Sequence, residues 1–178
     1  MTPREEAEFR ALRATIGQRG TLRLWFPFAA LGTWGAATIA TATLGGLPVA
    51  TFLPLLLLAA GFEALFQLHT GVERIGRYLQ IFYADQEGSG PGRDWERTIM
   101  AYGRAYPGGS DPLFTLYFLF ATVLNFVPVI IAEPVPLELI VVGAGHLAFV
   151  ARLFILRHRA SGQRPRDLER FQRIKDGG

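Results

Sequence analysis

The sequence predicts an all-α integral membrane protein: an antiparallel bundle of four transmembrane helices with short amphipathic helices on its cytoplasmic face. Half of the 178 residues are hydrophobic and only 19% are charged, below the roughly 25% that is typical of soluble domains. The apolar residues gather in four blocks, each close to the about 20 residues that cross a bilayer as a helix. These blocks lack the alternating charged positions that a soluble amphipathic helix would show.

The N-terminal segment, residues 1–20, is predicted to form an amphipathic helix on the cytoplasmic membrane surface. Thr2 is a suitable N-cap, and Glu5 three residues later completes a capping box. Gly17 and Gly20 are expected to end this helix. Because the segment is rich in glutamate and has no apolar run, we expect no cleavable signal peptide, and the first apolar block should remain as an anchor.

The membrane domain is predicted over residues 21–157. Its four helices are expected at about 22–44, 52–83, 113–132 and 139–157. The second helix should extend into the cytoplasm, because nothing before Tyr83 stops it firmly. A cytoplasmic loop, 84–111, then contains a short aromatic helix, and a basic cytoplasmic tail, 158–178, should form a surface-bound or docking segment.

Small side chains recur along one face of the first predicted membrane helix, a pattern that lets helix backbones approach closely in lipid. They are Ala29, Thr33, Ala36, Ala40 and Thr43. Pro27 is expected in the first turns of this helix, where proline is tolerated.

The distribution of basic residues predicts the topology. All 18 Lys and Arg residues lie in three segments, 1–23, 74–104 and 152–175, and the two turns between paired apolar blocks have none. Positive segments remain on the cytoplasmic side, so both termini and the middle loop are expected there. The excess of positive charge then faces an anionic lipid leaflet, and no nucleic-acid partner is predicted.

Polar residues within the apolar blocks mark a candidate intramembrane cluster formed by Glu63, Gln67, Asn125 and His146. Asn125 and His146 should lie at similar depth, with Glu63 about one turn deeper. A carboxylate in hydrocarbon is costly, and Arg74 lies eleven residues away, about 16 Å along the helix. We therefore expect Glu63 to be a neutral carboxyl that donates a hydrogen bond; an ionised Glu63 beside a cation or His146 is the alternative and would mark a conduction path.

A second group of polar residues is predicted as an interface network at the cytoplasmic end of the second helix. Glu73 and Arg77 have the favourable i,i+4 order for an ion pair. His69 lies on the same line, and Arg74 ends the stripe that begins at Glu63. Interfacial anchoring and hydrogen bonding between helices is the expected role.

No cofactor, metal or catalytic residue is predicted. The chain has no cysteine, which excludes disulfides, thiol catalysis and thiolate metal sites. No phosphate-binding loop, HExxH or GxSxG sequence is present. His69 and His146 should differ in depth by about 15 Å, too far to share one haem iron.

Three classes of function fit these features. The first is a non-catalytic subunit or scaffold of a larger membrane assembly, or a homo-oligomer. The alternative is a small channel or transporter for protons, ions or another small solute that uses Glu63 with Asn125 and His146, and the third is a membrane enzyme acting on lipid. Seventeen Arg against one Lys indicates a GC-rich coding sequence, so we expect a bacterial inner membrane, with other membrane subunits or a second copy as partners.

Overall fold

The computed structural model describes residues 2–43, 47–83 and 113–177, together with residues 102 and 105. All regular structure in these residues is helical, which confirms the predicted all-α class; no strand occurs among them. A 3₁₀ turn, Pro48–Thr51, leads directly into the second of four α-helices. The helices are α1 (Pro3–Thr43), α2 (Phe52–Phe82), α3 (Thr115–Ile131) and α4 (Pro136–Gly177). The predicted loop 84–111 lies outside the described residues, except for 102 and 105.

Two helical segments in the described part of the chain are long and apolar enough to cross a membrane. They are Pro48–Phe82, which joins the 3₁₀ turn to α2, and α4. The third apolar helix, α3, has 17 residues, slightly fewer than the about 20 of a typical crossing.

α1 differs from the prediction in two respects. The prediction that Gly17 and Gly20 end a separate N-terminal helix is wrong, because α1 continues through both to Thr43. A glycine inside a helix costs only about 1 kcal/mol relative to alanine, and neither is followed by a helix-breaking sequence. Pro27 is consequently buried in the second half of α1, not in its first turns.

The N-terminus of α1 has the predicted capping box. The Thr2 backbone N–H donates to Glu5 Oε2 at 2.7 Å, and the Glu5 N–H donates to Thr2 Oγ1 at 3.3 Å. The bond from the Thr2 backbone lowers the pKa of the Glu5 carboxyl below its ordinary value. The cap therefore depends on an ionised carboxylate at the first turn, where negative charge is also favoured by the helix dipole.

The predicted end of the fourth helix near residue 157 is also wrong. α4 continues through Pro165 to Gly177, so residues 158–177 of the predicted basic tail are part of this helix. Its continuation is stabilised by specific contacts, because Asp167 is buried against Arg77 and Phe171 packs on Tyr78.

The chain divides into two compact units, each described separately. Unit 1 comprises Met1–Leu22, Leu68–Ser110 and Ala160–Gly178; unit 2 comprises Arg23–Gln67 and Asp111–Arg159. Aromatic rings hold the described part of unit 1: the Phe9 and Tyr83 centroids lie 5.5 Å apart, and those of Tyr78 and Phe171 lie 5.8 Å apart.

Unit 2 has a core of interlocking aromatic and aliphatic side chains. Phe62 is fully buried and packs edge-on against Phe118 and Phe149, with centroids 5.2 and 6.4 Å away. Gly61 lets α2 approach α1, because a Cβ there would lie 2.9 Å from the Ala30 Cβ. Gly145 similarly leaves room on α4 for the ring of Phe52.

The small-residue face of α1 points outward from the described part of unit 2. All five of its residues are exposed: Ala29, Thr33, Ala36, Ala40 and Thr43. The Thr33 hydroxyl donates to the Ala29 carbonyl, and the Thr43 hydroxyl to the Ala40 carbonyl, both at 2.9 Å. These hydroxyls are therefore satisfied within their own helix.

Candidate functional site

The Asn125 side chain on α3 is the centre of a polar network in unit 2. It is completely buried. Its Nδ2 donates to the Thr51 carbonyl at 3.0 Å and lies 3.0 Å from His146 Nε2. Its Oδ1 accepts from Trp34 Nε1 at 3.2 Å and from the Thr38 hydroxyl at 3.5 Å. An amide has two donor hydrogens and two acceptor lone pairs, so both hydrogens are used and the oxygen accepts firmly from Trp34; the Thr38 hydroxyl has one hydrogen, which it shares with the nearer Trp34 carbonyl at 2.9 Å.

His146 on α4 is held in one orientation by bonds at both ring nitrogens. Nδ1 lies 2.8 Å from the Val142 carbonyl, and Nε2 faces Asn125 Nδ2. Since a carbonyl only accepts and an amide nitrogen only donates, the hydrogen must be on Nδ1 and the lone pair on Nε2. Both bonds require a neutral imidazole, and the Phe126 ring covers it with its centroid 5.0 Å away.

The predicted proximity of Asn125 and His146 is thus present in the structure, but three of their partners were not predicted. Trp34, Thr38 and Thr51 come from α1 and from the turn before α2. Single threonines and tryptophans are common in apolar runs, so the sequence gives little signal for them. Thr51 contributes only its main-chain carbonyl, which no side-chain pattern can indicate.

Glu63 does not join this network in the structure; it pairs with Arg152 on α4. Arg152 Nε donates to Glu63 Oε1 at 2.6 Å. Glu63 therefore has a cationic partner at its depth, where the sequence predicted none. The flexible stem of Arg152 carries its guanidinium away from its own Cα, so position along the sequence did not reveal the pair. Gln67, the fourth member of the predicted cluster, is exposed one turn further along α2.

In unit 1, the predicted interface network acquires a buried partner. The expected Glu73–Arg77 pair is present, with Arg77 Nη2 3.2 Å from Glu73 Oε2. Arg77 Nη1 also donates to Asp167 Oδ2 at 2.8 Å, and both of these side chains are more than nine-tenths buried. Arg74 Nε lies 3.8 Å from the same Asp167 oxygen, while His69 is half-buried nearby in sequence on α2. Asp167 was not predicted, because it lies in a segment expected to be a separate tail.

Two further contacts fix the described helices of unit 1. The Tyr78 hydroxyl donates to Glu8 Oε1 at 2.9 Å, which ties α2 to α1. Lys175 Nζ donates to the Ile81 carbonyl at 2.9 Å, so a cation from α4 caps the C-terminal end of α2, where positive charge is favoured.

Within the described residues, no three His, Cys, Asp or Glu side chains come together as a metal site would require. The chain matches no family model, no curated protein and no solved structure at a significant level. The site must therefore be interpreted from its own geometry.

Proposed function

We propose that this chain is a non-catalytic integral membrane subunit or scaffold, acting within a larger assembly or homo-oligomer of the bacterial inner membrane. The three basic segments are proposed to lie on the cytoplasmic side, as their charge favours. Four crossings require α1 and α3 to span the membrane as well as the two longer apolar helices.

The surface of unit 2 supports placement in a bilayer. Large apolar side chains point outward from its helices, including Trp25 on α1, Ile131 on α3 and Leu147 on α4, each at least 70% exposed. Soluble monomers rarely expose apolar surface on this scale in continuous patches. Hydrocarbon accepts such a surface without cost, and helices satisfy their own backbone groups there.

The completely buried amide of Asn125, bonded at both its nitrogen and its oxygen, is the observation that carries the proposal. A group that conducts a proton or binds a solute needs a free donor or acceptor that the solute can use. Asn125 uses both amide hydrogens and its oxygen within unit 2, and His146 uses both of its ring nitrogens. Such a closed network favours a structural function, namely holding helices in register, over a transport function.

Purification in a mild detergent, followed by native mass spectrometry, tests the proposal. We expect a homo-oligomer or a complex of fixed stoichiometry. The same preparation, reconstituted in liposomes, should show no flux of protons or monovalent cations above that of empty vesicles. A monomer that conducts, and loses conduction in Asn125→Leu while its mass and helicity are retained, would establish the transporter alternative instead.

A further inference from the structure

The Glu63–Arg152 pair lies on the outer surface of unit 2. The Arg152 side chain is 45% exposed and that of Glu63 is 38% exposed. Arg152 uses only its Nε in the pair. That bond engages one of the five N–H donors of the guanidinium. The pair therefore presents further guanidinium donors outward.

This exposure has a consequence if unit 2 lies in a membrane, a premise that rests on the proposed function. Water satisfies a half-exposed guanidinium at the surface of a soluble protein, but hydrocarbon has no acceptor. Charged side chains within membrane segments accordingly face other protein or a water-filled cavity. The exposed part of the Arg152 guanidinium thus calls for an acceptor from a neighbouring molecule.

Small residues precede both members of the pair. On α4, Ala148 and Ala144 lie one and two turns before Arg152 on the same face, and both are exposed. Ala60 on α2 is exposed one turn before Glu63. Small side chains let another helix backbone come close, so an incoming helix can approach the guanidinium from the side of Ala144 and Ala148.

We propose that a second copy of this chain covers the pair, with Arg152 of each copy donating to Glu63 of the other. Two copies with the same membrane topology are related by a two-fold axis along the membrane normal. Because Glu63 and Arg152 contact each other within one chain, they share one depth, and the axis brings unlike charges opposite each other. The four groups then form a closed ring of alternating sign.

Charge distinguishes a second copy from a lipid phosphate as the occupant. The pair is neutral overall, and the Glu63 carboxylate beside the guanidinium repels a phosphate. A second copy instead brings both a carboxylate and a guanidinium, so each charge gains an opposite partner. The surface is complementary to itself, as a two-fold interface requires.

A charge exchange tests this interface without destroying the pair inside each chain. In Glu63→Arg/Arg152→Glu, the two charges trade places, so each chain keeps its own ion pair and two exchanged chains remain complementary. When an exchanged chain faces a parental chain, arginine lies opposite arginine and glutamate lies opposite glutamate across the interface. Like charges opposed across an interface strongly suppress association.

The assay is energy transfer between donor- and acceptor-labelled chains in liposomes of phosphatidylethanolamine and phosphatidylglycerol. The chain has no cysteine, so Gln18→Cys, at an exposed position on α1, supplies a single dye site. We expect strong transfer for parent with parent and for exchanged with exchanged. The mixed pair should associate at least about tenfold more weakly, which corresponds to about 1.4 kcal/mol.

A matched control uses the exposed Glu169–Arg173 pair in unit 1. Its exchanged form, Glu169→Arg/Arg173→Glu, should mix freely with the parent. Mixed association equal to that of the parent for the Glu63–Arg152 exchange would overturn the proposed interface.

Disulfide trapping provides a second measurement should the exchanged chain fail to fold. Ala148→Cys, beside Arg152 on the exposed face of α4, is expected to form dimers on mild oxidation, whereas Phe120→Cys, exposed on α3, should not. Equal trapping at both positions would contradict the interface. A parent that does not self-associate but binds a different subunit at fixed stoichiometry overturns this inference and leaves the proposed function standing; a conducting monomer overturns both.

Discussion

Replacing Asn125 with leucine removes the centre of the polar network while keeping the size of the side chain. The change leaves three groups without their bond: Trp34 Nε1–H, the Thr51 carbonyl and His146 Nε2. The Thr38 hydroxyl retains its 2.9 Å bond to the Trp34 carbonyl. The predicted loss of stability therefore comes from three hydrogen bonds.

The magnitude depends on the environment of the orphaned groups. Hydrogen bonds between helices in a membrane protein contribute about 0.6 kcal/mol on average, so three lost bonds give about 2 kcal/mol. Buried groups that find no new partner cost about 1 to 3 kcal/mol each, which raises the total. We expect Asn125→Leu to lower the free energy of unfolding by about 2 to 5 kcal/mol.

Unfolding with increasing mole fraction of dodecyl sulfate in mixed micelles, followed by circular dichroism, measures this difference. Val123→Ala on the exposed face of α3 is the matched control and should change stability by less than about 0.5 kcal/mol. A double-mutant cycle of Asn125→Leu with His146→Leu should be strongly non-additive, since the two groups share one bond. If Asn125→Leu is as stable as the parent, the network does not hold the helices together and the reasoning fails.

Four further predictions follow from the same structure. A cysteine introduced at Gly46 should react with a labelling reagent added outside intact cells. Cysteines introduced at Ser89 or Ser161 should be protected from it. Asp167→Asn should destabilise unit 1 by about 3 kcal/mol, because it removes the buried anion of Arg77 and leaves only the partly exposed Glu73 as its partner. Glu169→Gln on the surface should cost less than about 0.5 kcal/mol; chemical unfolding monitored by tyrosine fluorescence compares them. Glu133 follows the end of α3 with φ 49°, a conformation that glycine adopts freely, so Glu133→Gly should raise the melting temperature through a gain of about 1 kcal/mol. Because the pKa of Glu5 is lowered, its cap contributes its full stabilisation of α1 at pH values above the ordinary pKa of 4.5. This stabilisation is lost as the pH falls through the lowered pKa. Amide exchange in the first turn of α1 should therefore accelerate in acid, and Glu5→Gln should abolish that pH dependence.

Hydrophobic patterning was sufficient to predict the all-helical class, and α2 ends at Phe82, one residue from its expected end. The ends of α1 and α4 could not be predicted in the same way. Glycine and proline signal breaks only on average, and in α4 the contact of Asp167 with the buried Arg77 stabilises a helix that local sequence does not demand. Tertiary contacts of this kind are absent from any local pattern.

In the candidate site, too, contacts within one helix could be predicted from the sequence, whereas most contacts between helices could not. The pairing of Glu73 with Arg77 follows from helical spacing alone, and the shared depth of Asn125 and His146 follows from counting residues from the helix ends. The partner of Glu63 could not be found by counting. Arg152 reaches it through a long flexible side chain. How one helix is rotated relative to its neighbour cannot be predicted from the sequence of either helix alone.

The closed network around Asn125 also constrains the order in which the chain can assemble during synthesis. In the proposed membrane placement, α3 alone would carry an amide with no partner in hydrocarbon, at considerable cost. Trp34, Thr38 and Thr51 precede α3 in the chain, so these partners of Asn125 are synthesised before it. His146 follows α3, so its bond to Asn125 can form only after α4 has been synthesised.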